Sequence, residues 1–361
     1  MWPYWLLFIV PAYLAITRTY LTTDISFSSQ RNRWSVIWRS FFILLVLMIG
    51  LRHEVGGDWE TYYGHVESLL NVPLLEILAY YDPAYALLNW LGANVGGGMY
   101  LVNIVCAALF SWGLLVFCRA QPRPLLALVI AVPYLITVVA MGYTRQGVAI
   151  GIAMLGMEAL AKGSTMRFIL WIALATCFHK SAVILVPLAV LASTQQRAFT
   201  ILWAIASGVV LFSLLLRESL DHLIYGYIER AYESSGAAIR ILMNAVPAVL
   251  FLVFRKRFKL SPKQRSFWTW MAWSAMLFVV LLKISPSSTA VDRVALYWIP
   301  LQLFVLSSLP DTLGIKGGKN SVWVYAVVAY SATVHFVWLV FADSAAGWLP
   351  YQFFPWIWLW K

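Results

Sequence analysis

Read for polarity alone, the chain breaks into long apolar blocks separated by short polar stretches. The blocks do not alternate residue by residue, as the strands of a membrane barrel would. They are long enough to cross a hydrocarbon core of about 30 Å, which takes roughly 20 helical residues. Lipid offers no partner to backbone N–H and C=O groups, so such blocks must be helices. The pattern predicts helices at 2–16, 36–51, 99–117, 125–141, 145–161, 166–178, 182–192, 199–216, 241–254, 267–282, 294–309 and 322–341. The sixth and seventh are short and break at His179-Lys180-Ser181. They read either as a re-entrant pair or as two thin spans over 166–192. The expected fold is all-α and polytopic, with about 11–12 transmembrane or re-entrant helices, in one membrane domain over 1–361. The block at 2–16 follows no basic residue and precedes no small-residue cleavage site, so it reads as the first membrane helix.

The polar stretches are unequal. The longest, 52–98, places Trp59, Tyr62, Tyr63, Val66, Leu69 and Leu70 three or four residues apart. That spacing predicts an amphipathic helix lying in the membrane interface. A second long loop, 217–240, is rich in charge and Tyr. The end, 344–361, is aromatic and interrupted by Pro350 and Pro355, which suits an interfacial foot better than a span. No repeat of fixed period is present.

Composition agrees with the pattern: 62% of the 361 residues are hydrophobic and 11% charged. The net charge of +11 would suit a nucleic-acid binder, but its distribution points to a membrane. One set of alternate loops holds 17 of the 26 Lys and Arg residues against three acids. The other set holds nine against 12 acids. The positive-inside rule makes the first set cytoplasmic and turns 52–98 and both termini outward. The many Trp and Tyr residues suit two aromatic interface belts. Cys106, Cys118 and Cys177 lie singly in apolar blocks and read as packing residues.

Ionisable residues at the bilayer are costly, which makes them functional candidates. Four outward-facing clusters stand out. Arg52-His53-Glu54-Val55-Gly56-Gly57-Asp58 ends one helix and starts the interfacial one. Arg52 suits the negative end of its helix, and Asp58 suits either an N-cap or a base. In Tyr143-Thr144-Arg145-Gln146-Gly147, Thr144 can cap the helix. Arg145 in the first turn opposes the helix dipole but suits a bound phosphate. Gly147 and Gly151 form a small-residue pair that reads first as close helix packing. His179, flanked by Lys180, is a candidate general base, while Lys180 reads alternatively as snorkelling to the interface. Asp292-Arg293 reads either as a cap with its ion-pair partner or as an acid orienting an arginine on phosphate.

No histidine pair has metal-ligand spacing, and there is no Walker loop, nucleophile elbow or dinucleotide fingerprint. No cofactor is expected. Arginines for a diphosphate, aromatics for sugar and lipid, and a carboxylate or imidazole as base suit glycan transfer from a polyprenyl diphosphate.

The ordered motifs carry a resemblance. Arg52-x-x-Val55-Gly56-x-Asp58 with Tyr62, then Asp82-Pro83-Ala84-Tyr85, Arg145-Gln146, Ala175-x-x-Phe178-His179-x-Ser181 and Asp292-Arg293 with Tyr297 resemble the EpsG family of bacterial exopolysaccharide proteins. The family commonly has Gly where this chain has Ala84. The resemblance implies a Wzy-like polymerase in the bacterial cytoplasmic (inner) membrane. It would join oligosaccharide repeat units carried on undecaprenyl diphosphate at the periplasmic or outer face. It implies Asp58, Arg145, His179 and Arg293 as catalytic positions, and Arg52, Tyr62, Tyr85, Gln146, Lys180 and Asp292 as substrate-binding ones. Implied partners are the lipid-linked oligosaccharide, the growing glycan, the bilayer and a flippase or chain-length regulator of the same pathway, with no nucleic acid. The competing readings are an O-antigen-ligase-like transferase and a lipid-linked sugar transporter. An acyltransferase is disfavoured because His179 is expected outside.

Overall fold

The computed structural model describes residues 1–18, 34–77, 82–188, 236–315 and 318–359. The helix expected at 199–216, most of the loop at 217–240 and the end of the 182–192 segment lie outside the described residues. Where the chain is described, the apolar blocks are helices. They are α1 (Trp2–Thr17), α2 (Val36–Gly50), α3 (Trp59–Glu67), α4 (Pro83–Val95), α5 (Gly98–Ala120), α6 (Pro124–Ala131), α7 (Thr144–Ala161) and α8 (Thr165–Phe178). After the gap come α9 (Ala237–Phe254), α10 (Pro262–Ile284), α11 (Ser288–Leu313) and α12 (Ser321–Phe341). Five of these, α5 and α9 to α12, are long and apolar enough to cross a membrane. Among the described residues there is no strand, only the single bridge between Arg52 and Phe353.

Local chemistry sets several boundaries. α10 opens on Ser261, whose hydroxyl accepts the Gln264 amide (3.3 Å) while the Gln264 side chain accepts the Ser261 amide (3.0 Å). This reciprocal pair satisfies two orphan donors, and Pro262 at the first position supplies a helical φ. α6 continues as a π-helical segment, Val132–Ala140. Such segments are rare and concentrate at functional sites. Here Pro133 lacks an N–H, and the Thr137 hydroxyl reaches back to Val132 O (2.8 Å).

α7 is the hub, with nearly all of its residues buried, although Arg145, Gln146 and Glu158 make it less hydropathic than its neighbours. Small residues let backbones approach. A Cβ at Gly113 on α5 would sit 1.9 Å from Gly151 O on α7. The small-residue reading of Gly151 as a packing position therefore holds, with Gly113 as its partner. Replacing Gly113 with Val should force the two helices apart. We expect a fall of several degrees or more in the melting temperature of detergent-solubilised protein, with thermal-shift size exclusion as the check. Outer helices expose apolar faces instead, such as Val246, Val249 and Val253 on α9. Apolar surface on this scale suits lipid contact.

The loops segregate. Arg123 bonds Asp311 with two nitrogens (3.0 and 2.6 Å), and Lys263 approaches Gly163, so the described basic loops gather at one end. The loops carrying the candidate residues meet at the other end. α3 lies there. Trp59, Tyr62 and Val66 face the protein, and Leu69 is buried just beyond, whereas Tyr63 and Leu70 are exposed. The apolar face packs on α4, with Tyr62 edge-on to Tyr85 (6.0 Å), and on α5, where Trp59 meets Tyr100 (6.2 Å).

The C-terminal segment meets the loop before α3. Trp356 and Trp358 are exposed, but residues 347–354 are sewn into the 51–56 loop. Gly56 N–H donates to Gly347 O (2.8 Å), His53 N–H to Gln352 O (3.0 Å) and Phe354 N–H to Leu51 O (2.8 Å).

Candidate functional site

Two arginines that look alike in sequence have opposite surroundings. Arg52 is 1% exposed. Its guanidinium donates to Val55 O (3.1 Å), Ile49 O, Asn103 Oδ1 (3.4 Å) and Thr144 Oγ1 (2.7 Å). All these acceptors are neutral. Arg52 thus pins the 49–55 turn to α5 and α7. The same bond corrects Thr144, which accepts from Arg52 and makes no cap hydrogen bond.

Arg145 stands at the opening of α7, about one-third exposed. Its Nη1 donates to Asp82 Oδ2 (3.1 Å), and its planar group lies near the rings of Tyr62 (5.9 Å) and Tyr85 (5.8 Å). The other carboxylate oxygen of Asp82 accepts the Lys180 amide (2.9 Å). Asp82 occupies a left-handed conformation (φ 53°) before Pro83. One carboxylate therefore joins the start of α4, the start of α7 and the break after α8. Burial raises its pKa, against the pull of Arg145 and the Lys180 amide. Asp82 was missing from the residues read as functional. Its signal was the Asp-Pro pair itself, which looks like an ordinary turn.

Arg293 lies face-on to Tyr143 (3.9 Å), and its carbonyl accepts Gln146 Nε2 (2.5 Å). The expected pairing of Asp292 with Arg293 is not made. Asp292 is held by Arg240 through two 2.8 Å bonds, because the α11 turn carries the two neighbours to different faces. Arg293 has no carboxylate partner among the described residues. Arg240, from the start of α9, was not anticipated.

His179 ends α8, and Lys180 begins a 3₁₀ turn, Lys180–Leu185. His179 Nδ1 lies 2.6 Å from Ser181 Oγ, which lies 3.2 Å from the Tyr297 hydroxyl. Burial, then the charges of Arg145, Arg293 and Lys180, push the imidazole pKa down to about 3. A base that weak has little pull on a sugar hydroxyl. Asp58 takes the N-cap position of α3 without a side-chain cap bond, and is half-buried with no partner among the described residues.

Arg145, Lys180, Arg293, His179, Gln146, Tyr62 and Tyr85 are thus brought together, while Arg52 supports the loop beside them. Among the described residues no group of His, Cys, Asp and Glu could hold a metal ion. No curated protein and no solved structure matches the chain. The model of the EpsG family matches residues 35–353, nearly the whole chain. With its apolar spanning helices and this match, the protein is a multi-pass membrane protein with a polysaccharide-polymerase-like role, and it belongs to the EpsG family.

Proposed function

We propose that the chain is a glycosyltransferase that polymerises oligosaccharide repeat units carried on undecaprenyl diphosphate, at the outer face of the bacterial cytoplasmic membrane. The observation that carries this reading is the cationic cluster of Arg145, Lys180 and Arg293 set among Tyr62, Tyr85 and Tyr143. The cations suit a diphosphate, and the rings suit sugar and lipid. The end of the bundle poorer in Lys and Arg carries the cluster, and by the positive-inside rule that end faces out.

In the proposed step, the acceptor sugar hydroxyl attacks the anomeric carbon of the growing chain. The new C–O bond forms as the bond to the lipid diphosphate oxygen breaks. The hydroxyl proton passes to Asp58, and the electron pair leaves with the diphosphate. Asp58 is chosen because Asp82 and Asp292 are already held in ion pairs. Arg145 and Arg293 stabilise the departing charge.

The test is a reaction of purified protein in nanodiscs with a synthetic polyprenyl-diphosphate repeat unit matched to the native glycan. A ladder of lipid-linked products is expected. A single glycan addition to another lipid or to protein would indicate a ligase. Movement of substrate between leaflets with no new glycosidic bond would indicate a transporter.

A further inference from the structure

Three groups from separate parts of the chain form a line: Tyr297 on α11, Ser181 in the 3₁₀ turn and His179 at the end of α8. Ser181 Oγ lies between the other two, 3.2 Å from the phenol oxygen and 2.6 Å from Nδ1. A serine hydroxyl has one hydrogen and two lone pairs; accepting from both neighbours would leave its own hydrogen with no acceptor among the described residues, so the line runs in one of two orders. In the first, His179 Nδ1–H donates to Ser181, and Ser181 donates to Tyr297. The phenol hydrogen is then left inside a fully buried residue, with no other acceptor among the described residues. Stranding a buried donor is costly. In the second order, Tyr297 donates to Ser181, and Ser181 donates to the Nδ1 lone pair. Each hydrogen between the three groups then has an acceptor, and the one left open, Nε2–H, sits on a half-buried ring rather than on a fully buried residue.

We infer that Tyr297 and Ser181 fix His179 as the neutral tautomer protonated on Nε2, so that His179 offers a hydrogen-bond donor to the diphosphate rather than a base to the acceptor. The inference rests on the proposed polymerase reading for its ligand, but the tautomer itself does not. Nε2 makes no hydrogen bond to any described residue, and the imidazole lies in the field of Arg145, Arg293 and Lys180. Those three cations, with Asp82 and the phenol of Tyr297, are the charged and titratable groups facing it from α7, α11, the 3₁₀ turn and the start of α4. A ring with its folded pKa lowered to about 3 is uncharged at any working pH. A neutral N–H among cations suits an anion, and adds no charge for its neighbours to repel. Ser181 and Tyr297 are positioning residues, and act only through His179.

The test has two arms. In nitrogen-15 spectra of histidine-labelled protein in nanodiscs, with Ser181→Ala used for assignment, His179 should be neutral and Nε2-protonated from pH 5 to 9. In Ser181→Ala the Nδ1-protonated form should appear, and Ser181→Thr should restore the parent spectrum. A native spectrum with Nδ1 protonated, or an imidazolium titrating near 6.5, would overturn the assignment. In the turnover arm, the Gln amide nitrogen can stand where Nε2–H stands. His179→Gln should stay within about 10-fold of the native kcat, whereas His179→Ala should lose roughly 100-fold, as for one transition-state donor. Equal loss in both variants with folding intact would mean that His179 acts as a base. If the native protein forms no polymer, the polymerase reading fails, while the spectrum still decides the tautomer.

Discussion

Arg145→Lys should abolish polymerisation, with a loss of about 100-fold or more, although the charge is kept. Arg145 already uses Nη1 on Asp82, and its plane lies near two tyrosine rings. Its Nε is buried without a hydrogen-bond partner among the described residues. A guanidinium can hold a carboxylate with one nitrogen and a phosphate with the others, since its donors diverge in a fixed plane. An ammonium is a single point. Drawn to Asp82, it leaves the phosphate; drawn to the phosphate, it releases Asp82 and with it the Lys180 amide. The measurement is turnover in nanodiscs beside the melting temperature. Lost turnover with an unchanged melt identifies the clamp. Full turnover would remove Arg145 from it and leave the diphosphate to Arg293 and Lys180.

The comparison of Arg145 with Arg52 shows where sequence reading stops. Both sit at a helix end, and both draw attention because charge at a bilayer is costly. What separates them is the set of acceptors that other segments bring, Asn103 and Thr144 around one, Asp82 around the other. Such pairings join residues far apart in the chain, and no local period encodes them. The helices were legible for the opposite reason. Their backbone bonds close within four or five residues, and apolar length alone forces them in lipid. The predicted bounds of α1, α2, α7, α8 and α12 lie within a residue or two of the observed ones. The π-helical segment was not legible, because Pro133 near a helix start looks like ordinary initiation. His179 stands out in the sequence through its break in the chain. Its tautomer does not, since that is set by Tyr297, 116 residues away from Ser181.

The aromatic C-terminus makes the same point with a larger expected effect on stability. By composition its tryptophans are equivalent, yet Trp348 is 1% exposed and Trp356 is 67% exposed. Trp348 Nε1 donates to Thr137 O (2.8 Å), within the π-helical segment, and its carbonyl accepts the Tyr4 hydroxyl (2.7 Å). Its ring fills the space over Gly142, where an added Cβ would lie 2.2 Å from the indole. Trp348→Ala should therefore lose roughly 3–5 kcal/mol, the cost of emptying a large buried aromatic site, while Trp356→Ala should change stability by about 0.5 kcal/mol or less. Thermal melts of the two variants in the same detergent make the comparison. The functional consequence follows from position. Trp348 stands over Gly142, next to the Tyr143 ring under Arg293, and beside Gly57, next to Asp58. Its loss should slow turnover even at temperatures where the variant remains folded. Equal melts for the two variants would make the whole tail a surface foot, and the 52–58 loop would then have to be ordered by Arg52 alone.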